Sequence, residues 1–244
     1  MSDFRNTEWS DASAAQYFMD HASRYIPDRA RMQGVVVSLL SQVLVPRFEG
    51  RTLSVLELGS GDGALSHALS LAGADITLTL LDGSAEMLNG AHRRFGSDPR
   101  VSYVQATFQD VISNRTALGE SHLIVSSLAI HHLTLPEKAQ LFAAAAGALV
   151  PGGALANIDV VLSPTRLLED WYLHLWGEWI REHDAEAADG RSFQHIPMQY
   201  QQNRDNLPDT LEDQLTGLRH CGLEGVDVFF KSGLFAVYGG FKPV

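Results

Sequence analysis

Three carboxylates surround a glycine-rich turn in this chain. Glu57 sits near the end of the apolar run Val55–Leu58, and Asp62 lies inside Gly59-Ser60-Gly61-Asp62-Gly63. Asp82 closes a second apolar run, Ile76–Leu81. Glycines at a strand-to-helix turn take positive φ and let a ligand approach the main chain. Gly59, Gly61 and Ala64 also meet the small-residue spacing of a dinucleotide-binding turn. A pyrophosphate, however, wants a helix N-terminus free of negative side chains. Each nearby carboxylate would repel it by about 1 kcal/mol or more at surface-like dielectric. The same carboxylates suit a nucleoside that carries positive charge. Asp82 falls about twenty residues beyond the glycines, where an acidic side chain accepts from ribose hydroxyls.

S-adenosylmethionine (SAM) joins adenosine to a sulfonium and an ammonium and has no phosphate. Glu57 and Asp62 therefore favour SAM over NAD, whereas Asp82 fits either. Beyond the loop, His131 and His132 follow the apolar run Leu123–Val125, and either could take a proton near neutral pH. His131 is the expected base. His174 and Glu178 are spaced i, i+4 on one helix face, which reads as a solvated polar edge, and no metal is expected. Tyr172, His183, His195 and Tyr200 are weaker candidates that sequence does not rank.

The elements that would position these groups alternate. Ala64–Leu71 reads as a helix after the glycine turn. Ser84 is expected to cap a helix carrying Met87, Leu88, Ala91 and Phe95, and Thr134-x-x-Glu137 with Pro136 forms a capping box. Strand-helix alternation over 51–162 implies parallel strands with ligands at their carboxyl ends. Before it, Asp28 is expected to cap a helix with Met32, Val35, Val36, Leu39, Leu40 and Val43 at helical period. After it, Ser163-Pro164 reads as the start of a helix holding three of the four tryptophans, Trp171, Trp176 and Trp179. That helix is either ordinary core or a roof over a pocket. A polar, irregular stretch with Gly190 and Pro197 runs from His183 to Asn206. Val226–Phe230, the turn Lys231-Ser232-Gly233 and Leu234–Gly239 read as a closing antiparallel hairpin.

Taken in order, these segments resemble the class I SAM-dependent methyltransferases. The glycine loop matches their first motif and Leu80-Leu81-Asp82-Gly83-Ser84 their second. Val101–Phe108 is similar to the third strand and adenine loop, Leu123–Leu133 to the fourth strand, and Val150-Pro151-Gly152-Gly153 to the turn into the fifth. Two positions depart from the pattern: Thr107 stands where an acidic residue commonly meets the adenine, and His122 where an Asp commonly opens the fourth strand. The resemblance implies an α/β Rossmann-like fold: a seven-stranded, mostly parallel sheet with a C-terminal antiparallel hairpin, N-terminal helices and a helical insertion after the fifth strand. The implied domains are an N-terminal helical lid segment (1–50), a SAM-binding core (51–162 and 208–244) and an insertion serving as substrate lid (163–207).

The resemblance also implies site residues. Asp82 would bind the ribose, Gly59, Ser60 and Gly61 would admit the cofactor, and Glu57 would orient the loop. Gly83 and Met87 would flank the adenine, with Thr107 and Phe108 on its edge, and the Ser126 carbonyl would meet the amino group. Tyr17, Arg24 and Tyr25 match a segment that lies over the cofactor in related enzymes; otherwise they pack the N-terminal helix on the sheet. Arg24, Tyr17, His132, Trp171, Tyr172 and Leu175 make up the expected substrate pocket, and Tyr25 is placed with the cofactor.

Composition narrows the partners. The net charge is −11 without a basic cluster, which disfavours nucleic acid. The lone Cys221 leaves no internal disulfide and no cysteine-rich metal site. No run reaches membrane-spanning length and no signal peptide is evident, so the cytoplasm is expected. The expected activity is methyl transfer from SAM to an O or N atom of a small molecule, with a homodimer as one option. The alternatives are SAM-fold enzymes of other chemistry (carboxy-group transfer or tRNA modification), a non-catalytic partner subunit, and an NAD oxidoreductase.

Overall fold

The computed structural model describes Phe4, residues 7–184 and residues 192–244. Gly190, with the rest of 185–191 in the expected irregular stretch, lies outside the described residues, as do positions 1–3, 5 and 6.

Seven strands form one sheet: β1 (Leu53–Leu58), β2 (Ile76–Asp82), β3 (Val101–Gln105), β4 (Ser121–Ser127), β5 (Leu149–Val160), β6 (Glu224–Ser232) and β7 (Phe235–Phe241). Their order is β3-β2-β1-β4-β5-β7-β6. The first five pair in parallel, and β7 lies antiparallel between β5 and β6. In chain order the helices are α1 (Ala12–Tyr25), α2 (Arg29–Leu39), α3 (Val45–Arg47), α4 (Ala64–Ser70), α5 (Ala85–Phe95), α6 (Phe108–Ile112), α7 (Leu135–Ala148), α8 (Arg166–Asp184), α9 (Ile196–Gln202) and α10 (Leu211–His220).

A parallel sheet covered on both faces needs strands that are apolar on both faces. In β1, Leu53 and Val55 enter one core with α2 and α4, while Leu56 and Leu58 enter the other with α7 and α10. Strand alternation puts Glu57 on the Leu53–Val55 face, a carboxylate in an apolar layer. The chain passes from β1 outward to β3 and then back to β4 on the other side of β1. That reversal opens a crevice at the carboxyl ends of β1 and β4, where ligands settle in open α/β sheets.

Several boundaries differ from expectation for local reasons. Asp28 takes a left-handed φ of 53° and makes no side-chain cap, because it must turn the chain within the three-residue link from α1 to α2. After α2 the chain widens into a π-helical turn, Leu40–Leu44. The extra residue rotates the apolar face, so Leu40 and Leu44 are buried and Val43 points outward. Val150–Gly153 is part of β5 itself, whose irregular start carries Gly152 at φ 79°. Helix α8 begins at Arg166, with the Ser163 amide donating to Glu169 Oε2 at 2.9 Å just before it. The Ser84 cap and the Thr134/Glu137 box are present. Among the described residues no helix is long and apolar enough to cross a membrane.

Candidate active site

The turn after β1 is held by its own acidic side chains. Glu57 is buried, and its Oε2 accepts from Ser66 N at 3.0 Å and Ser66 Oγ at 2.5 Å, fastening the first turn of α4. Burial pushes its carboxyl up to about 8, against the pull of those two bonds. Asp82 accepts from Gly61 N with one oxygen and from Ser84 N with the other, both at 2.8 Å, and burial raises its pKa too. Asp62 differs from the sequence reading in its pairing: Arg94 donates to both its carboxylate and its carbonyl. Glu57, Asp62 and Asp82 all line the cavity at this turn, Asp62 with its charge offset by Arg94.

Gly59 and Gly61 have φ of 65° and 54°. A Cβ on Gly59 would stand 2.5 Å from Ala129 Cβ and 3.0 Å from Phe108 Cζ, so the absence of a side chain there keeps the turn seated.

A cavity opens beside this turn. It brings together Glu57, Gly59, Ser60, Gly61, Asp82 and Gly83, with Met87, Thr107 and Phe108 beyond them. Two expected members are elsewhere. Ser126 is buried in the sheet with Oγ donating to Leu58 O at 2.7 Å, and Ser127, Leu128 and Ala129 line the cavity in its place. Tyr25 lines a second cavity. The Thr107 hydroxyl is already committed as the α6 cap, donating to Asp110 Oδ2 at 2.7 Å. Two lining residues missing from the sequence-based set, Arg29 and Gln33, come from α2. Arg29 Nε, Gln33 Nε2 and Ser60 Oγ are buried here without a protein partner.

The second cavity is largely aromatic, with Phe18, Tyr25, Trp176, Tyr200 and Phe235 in its walls. Tyr17 reaches it, but Arg24 stacks on Phe193 at 4.5 Å instead. Trp171, Tyr172 and Leu175 do not line it. Helix α8 turns Trp176 and Ile180 inward and leaves Trp171 52% exposed, while Tyr172 meets Lys231. Trp176 Nε1 donates to the Tyr25 carbonyl at 2.6 Å, locking α8 to α1. His131 lines this cavity, and its Nδ1 lies 2.5 Å from Asp159 Oδ1. Asp159 is fully buried, which alone would raise its pKa. The His131 contact and the charge of Lys138 hold it below the ordinary carboxylate value. Asp159 was missing from the sequence-based set because a lone Asp inside an apolar strand carries no spacing signal.

Trp9, Phe18, Leu128 and His132 line both cavities and form the wall between them. Leu128 stands there at φ 56°, a strained value for a leucine. His132 Nε2 accepts from Trp9 Nε1 at 2.7 Å, and its Nδ1 faces the Asp205 carbonyl at 2.9 Å. It is thus the neutral Nδ1–H tautomer; burial and the neighbouring His131 push its pKa down to about 3. With both nitrogens occupied, His132 is no proton acceptor.

His174 and Glu178 pair at 3.3 Å on the exposed face of α8. His122, at the start of β4, bonds Ser54 at the opposite end of the sheet from the cavities. Among the described residues no three of His, Cys, Asp and Glu gather as a metal site.

Residues 55–153 match the family described as methyltransferase domain. Over these residues, from β1 into the start of β5, the chain is similar to a methyltransferase domain. Nearly the whole chain is also similar in fold to solved structures. One is an O-methyltransferase family protein from Burkholderia thailandensis: 15% identity, TM-score 0.65, covering 98% of this chain and 63% of that one. Another is human N-acetylserotonin methyltransferase in complex with SAM: 15% identity, TM-score 0.62, covering 97% and 58%. A third is an O-methyltransferase family 2 protein from Planctomyces limnophilus in complex with apigenin: 16% identity, TM-score 0.66, covering 98% and 63%. At such identities the likeness is one of fold, and the chain spans about three fifths of their length. Comparison with curated proteins finds no sequence match.

SAM, the cofactor of this family, suits the first cavity. The partnerless donors Arg29 Nε and Gln33 Nε2 match a carboxylate, and Asp82 a ribose.

Proposed function

We propose that this methyltransferase transfers a methyl group from SAM to a hydroxyl of a small aromatic acceptor, with His131 as general base. One observation carries the reading. The His131–Asp159 pair opens on an aromatic cavity that shares a wall with the cavity at the glycine loop. The apigenin complex of a structural neighbour supports an acceptor of this chemistry.

When bound, SAM supplies a methyl carbon on positive sulfur. The chain's own part is placement and proton handling. Asp82, Gly59 and Gly61 would hold the nucleoside side, Arg29 and Gln33 the carboxylate. The aromatic walls dehydrate and orient the acceptor, which in favourable cases is worth roughly 7–11 kcal/mol. Asp159 keeps the proton of His131 on Nδ1, so Nε2 is the atom that takes the proton of the hydroxyl. General-base help of this kind is worth about 10²–10⁴-fold. In this reading α1 and the α8–α9 segment act as lids and the enzyme is cytoplasmic, in keeping with its single Cys221.

Carboxy-group transfer would require a second cation site where the transferred group lands. The described lining of the aromatic cavity contains no Arg or Lys, which favours plain methyl transfer.

The test is calorimetry with S-adenosylhomocysteine followed by incubation with SAM and a panel of phenols, anilines and carboxylic acids. Tight nucleoside binding and methylation of phenols by mass spectrometry are expected. Absence of nucleoside binding, or methylation confined to carboxylic acids, would overturn the assignment.

A further inference from the structure

A chain of buried hydrogen bonds runs from the far side of the sheet to His131. Tyr238 OH donates to Gln214 Oε1 at 3.2 Å. Asn157 Nδ2 donates to Tyr238 OH at 2.7 Å and to Asp159 Oδ2 at 3.2 Å. Asp159 Oδ1 accepts from Val160 N at 3.0 Å and faces His131 Nδ1. All five side chains are buried, and Asn157 and Tyr238 are direct partners across β5 and β7.

Each link dictates the next. The Gln214 oxygen can only accept, so the Tyr238 proton must point to it. The Tyr238 oxygen then offers a lone pair to β5, so Asn157 turns its NH₂ rather than its carbonyl that way. That choice presents N–H to Asp159 Oδ2, and the Val160 amide presents N–H to Oδ1. Both oxygens already accept an N–H, which holds Asp159 as the ionised carboxylate, so it accepts from His131 Nδ1 and leaves Nε2 bare. Lys138, paired with Asp209 at 2.6 Å, adds positive charge behind Asp159. Simple satisfaction of buried polar groups does not require this one-way order. It even leaves Asn157 Oδ1 buried without a partner.

We propose that Gln214, Tyr238 and Asn157 are positioning residues that fix the tautomer of His131 from behind the sheet. This rests on His131 being the base only for its consequence for rate; the tautomer itself is measurable without turnover. Tyr238→Phe removes one oxygen and keeps the ring. Gln214→Met removes the acceptor from α10 and leaves Tyr238 intact.

The experiment is ¹⁵N and ¹H NMR of the histidine rings in the full chain, with His131 assigned by comparison with His131→Gln. In the wild type, His131 is expected with a strongly downfield Nδ1–H and a bare Nε2. In Tyr238→Phe and Gln214→Met the downfield proton signal weakens and the ring nitrogens move toward a tautomer mixture. His132, held by Trp9 and Asp205, does not change. Combining Tyr238→Phe with Asp159→Asn should add nothing to Asp159→Asn alone. Variants that keep the wild-type melting temperature and an unmoved His131 spectrum would overturn the proposal. A variant that loses its fold is replaced by the other one. Failure of nucleoside binding or methyl transfer with the tautomer shift intact would instead sink the functional reading and leave this one standing.

Discussion

His131 and Asp82 are the residues through which the two cavities are most directly tested. If Nε2 of His131 takes the acceptor proton, His131→Gln should lower kcat by about 10²–10⁴-fold. S-adenosylhomocysteine affinity should stay put, because the glycine-loop cavity does not include that side chain. Calorimetry and initial rates on the same preparation separate the two effects. Asp82→Ala should do the reverse and weaken nucleoside binding by about 1.5–3 kcal/mol, the range for hydrogen bonds to a charged group. It also frees the amides of Gly61 and Ser84, so some loop order is lost with it. Glu57 gives a pH signature. Its folded carboxyl sits near 8 against an ordinary 4.5, so between those values the folded chain holds a proton that the unfolded chain has released. Its contribution to stability is full below the unfolded value and fades as pH rises through the folded one. Urea midpoints should therefore fall over that interval, and Glu57→Gln should flatten the slope.

At the level of elements, the turn after β1 separates two demands placed on glycine. Gly59 needs both positive φ and empty space, since a Cβ would meet Ala129 at 2.5 Å. Gly61 needs only the φ, its nearest neighbour being Met87 Sδ at 3.7 Å. Gly59→Ala should cost the larger share of stability, about 1–3 kcal/mol from strain and displacement, and abolish nucleoside binding. Gly61→Ala should bind measurably; equal loss in both, read by thermal melts and calorimetry, would contradict the packing account. This turn was legible in the sequence because backbone conformation dictates residue type there. The strands and the closing hairpin were legible for the same reason, since apolar runs and turn residues leave few arrangements, whereas the order of the strands came only with the structure. Helix α8 was not. Its apolar stripe is broad enough to fit several rotations, and only packing against α1 and β7 selects Trp176 over Trp171 and Leu175. Trp9 was equally hidden, being one aromatic in a polar segment, yet it closes the wall between the cavities through His132. Arg29, Gln33 and Asp159 were missing from the expected site, since each acts through the groups that the fold brings opposite.

For the whole molecule, charge and cavity lining point in one direction. The chain carries −11, and the described lining of the aromatic cavity offers one carboxylate, Glu8, and no Lys or Arg. Glu8 is tied to Asn203 at 2.9 Å, and burial raises its pKa, a sign that the region already resists negative charge. An acceptor bearing its own carboxylate would enter without a counter-ion. Two like charges about 8 Å apart at an effective dielectric of 20 repel by about 2 kcal/mol, or roughly thirtyfold in affinity. Against the nucleoside-saturated enzyme, 4-hydroxybenzoate should accordingly bind at least about tenfold more weakly than the neutral 4-ethylphenol. Part of the gap should close in high salt, where the long-range share of the field is screened. Glu8→Gln should narrow it further, while leaving the neutral phenol unchanged. Equal affinity for the two phenols at low salt would mean that a cation reaches the acceptor from elsewhere, and that lining and net charge do not set the choice.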